Sequence, residues 1–374
     1  MPAVLRLTLT RFRNYRTARL EVGPQPVVLT GPNGAGKTNL LEALSFLSPG
    51  RGLRRARLDE LGHHGSPDWG IAATLDTAAG TVEIGTGADP TPGKDRRLVR
   101  IDGQPARNQT ALTEHLSVLW LTPQMDRLFV ESGSGRRRFI DRLVFGFDPG
   151  HAGRIARYEH ALRERARLLR EGITEPSWLA ALEDRMARDG VAVSLARAEV
   201  ADRITAACAA GIGPFPRAEL ALTGTLEEWL ADQPALPVED RLRARFCETR
   251  RSDAEAGTTA LGPHRSDLMV RYRTETRTAP ADSSSTGEQK ALLIAIVLAN
   301  ARLLAEQPAG APLLLLDEVA AHLDSNRRAA LFTEIEALGG QAWMTGTDES
   351  MFHPLHGRAQ FVTVREGQAV HRQY

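Results

Sequence analysis

Eight residues, Gly31-Pro-Asn-Gly-Ala-Gly-Lys-Thr38, constrain this chain more than any other feature. They fit the pattern G-x-x-x-x-G-K-T. They follow a short apolar stretch, Val27–Thr30, and precede leucines at helical spacing, Leu40, Leu41, Leu44 and Leu47. A strand, a glycine-rich turn and a helix in that order make a phosphate-binding loop. Glycines at 34 and 36 let main-chain amides turn inward, at a helix N-terminus that favours negative charge. Gly31, Pro32, Asn33, Gly34, Ala35 and Gly36 then cradle phosphate oxygens. Lys37 bridges the β- and γ-phosphates of a nucleotide, and the Thr38 hydroxyl binds Mg²⁺.

The second half supplies the complement. Leu313-Leu-Leu-Leu-Asp317-Glu318 reads as a buried parallel strand ending in two acids. Asp317 is placed to hold Mg²⁺, directly or through water, and Glu318 to polarise an attacking water. Just before it, Ser283-Ser-Ser-Thr-Gly-Glu-Gln-Lys290 opens an apolar helix, with Ser285 and Gly287 offering donors at the helix start. Ala321-His-Leu-Asp324 follows the acids. Basic composition points the same way. Of 47 lysines and arginines only Lys37, Lys94 and Lys290 are lysine, and two of them lie in these motifs. Arginine does not replace a compact ammonium among phosphates.

Alternation of helix and strand around these motifs gives an α/β head, comprising residues 1–125 and 257–374. Its strands are expected at Leu5–Thr10, Val27–Thr30, Ile71–Leu75, Thr81–Ile84, Leu98–Ile101, Leu116–Leu121, Leu268–Tyr272, Pro312–Leu316, Gln341–Thr345 and Ala359–Val364. The head is expected to combine a phosphate-loop sheet with flanking helices and an antiparallel β subdomain. An inserted, mainly helical arm occupies residues 126–256. It has a helical hairpin, Arg154–Arg170 and Trp178–Ala209, a loop-rich stretch Pro214–Pro237, and a further helix Val238–Arg250. The longest apolar run, around Ala291–Ala299, falls far short of the roughly 20 residues a membrane helix needs. Cys208 and Cys247 form no paired motif. A soluble, cytoplasmic protein without membrane partners is expected.

Loop, signature segment, acids and Ala-x-Leu-Asp, in that order, resemble the ABC-type ATPase superfamily. There the signature helix of one subunit completes the nucleotide site of another, which implies ATP, Mg²⁺ and an ATP-dependent homodimer. Ser284 and Thr286 depart from the usual L-S-G-G-Q or L-S-G-G-E, and Thr347 stands where transporters place a switch histidine. Further segments narrow the resemblance to the RecF family of bacterial recombination mediators. They are Arg11-Phe-Arg-Asn-Tyr15, Gly50-Arg-Gly-Leu-Arg-Arg55, Thr122-Pro-Gln124, Arg136-Arg-Arg-Phe-Ile-Asp141 and Gly262-Pro-His-Arg-Ser-Asp267. The resemblance implies an ATP-dependent DNA clamp acting with RecO and RecR to load RecA in gap repair, replication and the SOS response. Its slow ATPase serves as a switch. It also adds Arg13, Asn14 and Asp324 to the nucleotide site; Gln124 stands where many members of the family have an acid, and as a glutamine it fits the Q-loop role of sensing Mg²⁺ and γ-phosphate. Ser266 replaces a common acid.

Net charge is only +1, so DNA affinity requires local clusters. Arg51, Arg54, Arg55 and Arg57 lie together beside the loop helix, and Arg136 and Arg137 begin the arm. Arg154, Arg157, Arg163, Arg165 and Arg167 are interspersed with Glu159 and Glu164 and read as a solvated helix face. Aromatic residues make up 5% of the chain and do not interleave with basic ones. Duplex DNA beside a gap, held without sequence preference, is therefore expected rather than stacked single strand. The alternative is an ABC transporter ATPase subunit. Against it, about 245 residues separate Thr38 from Ser283, more than a transporter insert uses.

Overall fold

The computed structural model describes residues 2–91, 96–172, 175–274, 277–365 and 367–372; Lys94 lies outside them. Two compact units emerge: Met1–Arg127 with Ala210–Arg217 and Ser285–Tyr374, and Leu128–Ala209 with Ala218–Ser284. The second unit thus runs on past residue 256, to Ser284.

The first unit contains two six-stranded sheets. One is ordered Gln368–Arg372, Gln360–Arg365, Val27–Thr30, Ala342–Gly346, Leu313–Leu316, Val118–Leu121. All its pairings are parallel except the edge pairing of Gln360–Arg365 with Gln368–Arg372. Its central strands are buried along their whole length, both faces being covered, and are therefore largely apolar. The other sheet, antiparallel, is ordered Tyr15–Glu21, Ala3–Phe12, Gly70–Thr77, Gly80–Ala88, Arg97–Ile101, Gln104–Pro105. It alternates buried and exposed residues, as one-sided burial requires. Between the sheets' inner faces and the loop helix Lys37–Ser45 lies one core that includes Leu7, Phe46, Trp69, Leu315 and Trp343. The helix Thr286–Ala305 is buried along almost its whole length, which explains its unbroken apolar run.

In the second unit the expected hairpin forms from His151–Arg170 and Pro176–Ala209. Two expectations fail. Pro214–Pro237 is not loop-rich: it contains a strand, Arg217–Thr223, and a helix, Thr225–Asp232. The strand is short and buries only Ala218 and Leu220 closely, so its alternation is weak, and flanking prolines mask it. Leu268–Tyr272, read as a strand of the head, lies in strand Asp267–Arg273, which instead pairs with Thr278–Pro280 in a separate three-stranded sheet that includes Arg217–Thr223. Arg165 also departs from expectation. It is wholly buried, bonded to Glu183 (3.0 Å), Asp253 (2.8 Å), Thr259 Oγ1 (2.9 Å) and the Phe246 carbonyl (2.6 Å). Its neighbours Arg157, Arg163 and Arg167 do form ordinary ion pairs, with Asp189, Glu159 and Glu164.

Candidate nucleotide and DNA site

Strand register sets the geometry. Thr30 is level with Gly346, Leu316 with Met344, and Leu121 with Leu316. The phosphate loop, Asp317-Glu318, Thr122–Gln124 and Thr347 therefore leave the sheet at one carboxyl edge, where open α/β sheets bind ligands.

The loop is held tightly from behind. Gly36 adopts φ 113°, and a Cβ there would lie 2.5 Å from Asn14 Nδ2 and 2.7 Å from Tyr15 Oη. Asn14 Nδ2 donates to the Ala35 carbonyl at 3.1 Å, and Tyr15 Oη donates to the Gly36 carbonyl at 3.1 Å. The Lys37 ammonium donates to the carbonyls of Gly31 (2.7 Å) and Pro32 (2.9 Å), arching over the cradle it would share with phosphate. Burial holds its pKa below the usual lysine value, against the pull of Glu318 and Asp317.

Thr38 Oγ1 donates to Asp317 at 2.9 and 3.1 Å from its two oxygens, although 279 positions separate them. A hydroxyl beside a buried carboxylate is a hard oxygen pair. It fits Mg²⁺, which takes few protein ligands and keeps several waters. Thr345, which sequence reasoning missed, organises both acids. Its Oγ1 donates to Asp317 Oδ1 at 2.8 Å and accepts from the Glu318 N–H at 2.9 Å. That bond accompanies a left-handed Glu318, φ 53°. The only sequence signal was a threonine at the end of the strand beside Asp317.

The remaining candidates divide. Gln124 is exposed on the short turn Pro123–Arg127 after strand Val118–Leu121. Ser285 caps helix Thr286–Ala305 reciprocally with Glu288, at 3.3 and 2.8 Å, while Gly287 is exposed with open space beside its Cα. Asp324 caps helix Ser325–Leu338 through Arg327 N at 2.8 Å. Lys290 is buried, 3.7 Å from Asp126, and desolvation lowers its pKa. Arg13 turns away from the cradle. Its guanidinium clasps the fully buried Glu42 at 2.7 and 2.8 Å and donates to the Glu60 carbonyl.

Among the arginines assigned to DNA, Arg51, Arg54, Arg55 and Arg57 are exposed. Arg57 pairs with Asp59 at 3.0 Å, and Arg54 reaches Asn39 at 2.7 Å and Glu42 at 3.5 Å. Arg136 is held in a bidentate pair with Asp267, at 2.8 and 2.7 Å, and also donates to the Phe129 carbonyl. Arg137 donates to the Ser266 carbonyl at 2.7 Å, and burial lowers its pKa. Both fasten the second unit internally. So does the segment Gly262–Asp267. There Ser266 Oγ donates to Glu227 (2.7 Å) and His264 Nδ1 meets Tyr158 Oη (2.6 Å), while burial lowers the His264 pKa to about 4.

Fold and loop together define a head of the RecF/RecN/SMC class. The sequence profile of the "RecF/RecN/SMC N terminal domain" matches residues 3–370. The "DNA replication and repair protein RecF" of Mesorhizobium japonicum is 51% identical over 375 residues, 98% of each chain. That of Rhizobium rhizogenes is 52% identical over 367 residues, 97% of each chain. The chain belongs to the RecF family. A solved structure of "the recombination mediator protein RecF-ATPrS in RecFOR pathway" shares the fold at TM-score 0.85 and 20% identity, covering 100% of this chain and 98% of that one. An Smc head domain from Pyrococcus furiosus does so at TM-score 0.54 and 18% identity, covering 100% and 97%. These matches along the whole chain disfavour the transporter alternative. Among the described residues no helix is long and apolar enough to cross a membrane.

Proposed function

We propose that this chain is an ATP-gated DNA clamp of recombinational gap repair. It works in the cytoplasm with RecO and RecR to help load RecA, and its weak ATPase serves as a release switch. The observation that carries the reading is the Thr38–Asp317 contact beside the buried Lys37, which brings the candidate phosphate and metal ligands together from distant segments. Loop amides and Lys37 bind the nucleotide phosphates. Thr38 and Asp317 hold Mg²⁺, which supplies charge neutralisation on the phosphate oxygens. Glu318, fixed by Thr345, accepts a proton from the attacking water. Ser285 and Gly287, exposed at a helix start, cap the γ-phosphate held by a second copy, so that ATP joins two heads. Arg51, Arg54 and Arg55 meet duplex phosphates without reading bases.

Support for the DNA reading comes from those exposed arginines next to the loop helix and from relatives named for replication and repair. A mobility-shift titration on gapped duplex, with ATP, ADP and no nucleotide, tests it. ATP-strengthened retention of DNA is expected. Equal retention in all three conditions would refute gating.

A further inference from the structure

One polar line joins the candidate DNA surface to the phosphate loop. Arg54 Nη1 donates to Asn39 Oδ1 at 2.7 Å. Asn39 Nδ2 donates to Asn14 Oδ1 at 2.7 Å, and Asn14 Nδ2 donates to the Ala35 carbonyl at 3.1 Å. The chemistry of the two ends fixes the direction of every bond. A guanidinium can only donate and a carbonyl can only accept, so both amides between them have a single orientation. Neither amide can turn without breaking a bond on each side.

We propose that Asn39 and Asn14 are positioning residues that couple DNA contact at Arg54 to nucleotide occupancy of the loop within one subunit. This rests on the reading of Arg54 as a phosphate contact. All contacts of Arg54 shown by the described residues run through Nη1, and its side chain is 36% exposed. Nε and Nη2 are thus left to a DNA phosphate, and a phosphate there immobilises the guanidinium against Asn39. Hydrogen bonds in a chain polarise and stiffen one another. The fixed Arg54 orients Asn39, Asn39 orients Asn14, and Asn14 holds the Ala35 carbonyl, which fixes the Ala35–Gly36 peptide plane and so the direction of the Gly36 N–H. Glu42 steadies the Arg54 end at 3.5 Å and also receives Arg13, the chain neighbour of Asn14, at 2.7 Å. The coupling is positive and, by linkage, equal in both directions.

The test uses a fluorescent ADP analogue and a short duplex with the full-length protein. ADP fills the loop without a γ-phosphate, so subunit pairing does not supply the coupling. Nucleotide affinity is measured with and without saturating duplex, and duplex affinity with and without saturating nucleotide. In wild type the two ratios should agree, at about fivefold or more. Asn39→Asp keeps an acceptor for Arg54 but has no N–H for Asn14. Asn39→Ala removes both contacts at a helix position that tolerates alanine. Both should bind each ligand alone within about threefold of wild type, while the ratios collapse toward one. Matching wild-type unfolding midpoints establish that the variants fold. Should Asn39→Asp retain the wild-type ratio, the relay is refuted with the DNA reading intact. A wild-type ratio of one refutes it too. If Arg54→Ala binds duplex as tightly as wild type, the assignment of Arg54 fails first and takes the relay with it.

Discussion

Replacing Thr345 by valine isolates what one hydroxyl does for the two acids. Thr345 is 1% exposed, so the isosteric valine keeps the packing and deletes only the polar bridge. The Glu318 N–H loses its acceptor, which costs about 1–3 kcal/mol. Asp317 loses a donor but keeps Thr38. Glu318 sits at φ 53°, a conformation that costs a non-glycine residue roughly 1–2 kcal/mol. Without the bond it relaxes, and its carboxylate leaves the edge of the site. Unfolding free energy in urea should fall by about 2 kcal/mol. Single-turnover hydrolysis should fall at least about tenfold, for which 1.4 kcal/mol of lost transition-state stabilisation suffices. Nucleotide affinity should move less than about threefold, because Lys37 and the loop amides are untouched. Glu318→Gln provides the benchmark for complete loss of the carboxylate. Wild-type hydrolysis by Thr345→Val would show that this hydroxyl does not position Glu318.

Lys37→Ala should abolish nucleotide binding measured by calorimetry, since the phosphates lose their main side-chain cation; binding at wild-type strength would move the site elsewhere. Changing Arg54 and Arg55 together to alanine should lower the slope of log affinity against log salt by about 1.8, at about 0.9 per phosphate. An unchanged slope would take the DNA surface away from this loop. His264 has a folded pKa of about 4 against an unfolded value of 6.5, so the unfolded chain binds more protons between these values. Its contribution is complete above pH 6.5 and is lost as the pH falls toward 4, by up to roughly 3 kcal/mol. Denaturation midpoints at pH 7 and pH 5 should differ less in His264→Gln than in wild type; equal pH dependence would refute the assignment.

The sequence made legible what rests on local chemistry. Gly31–Thr38 and Leu313–Glu318 fix a strand, a turn and a class of ligand with few residues, and the structure brings Thr38 and Asp317 together as that chemistry demands. Buried parallel strands also stand out, because continuous apolar runs have few other uses. Long-range partnerships of arginine were not legible. Arg165 and Arg54 look alike along the chain, yet one is sealed among Glu183, Asp253 and Thr259 while the other faces solvent. What separates them is which distant residues surround each, and spacing carries no record of that. Arg136 is a similar case, its carboxylate partner Asp267 lying 131 positions away. Thr345 escaped notice because a lone threonine at a strand end is ordinary until a neighbouring strand brings Asp317 against it.

The central claim is that one nucleotide site is shared between two copies, and a mixing experiment tests it most directly. Lys37→Ala spoils the loop side and Ser285→Arg the signature side, so neither variant alone forms an intact site. In a mixed dimer, the loop of the Ser285→Arg chain faces the signature of the Lys37→Ala chain, restoring one site of the two. DNA-stimulated hydrolysis should reappear on mixing, at no more than roughly a quarter of wild type, since about half the two-fold dimers are mixed. It should rise with the concentration of mixed dimer. Normal hydrolysis by Ser285→Arg alone would contradict the account, leaving Ser283–Lys290 a helix cap and each head a self-sufficient ATPase.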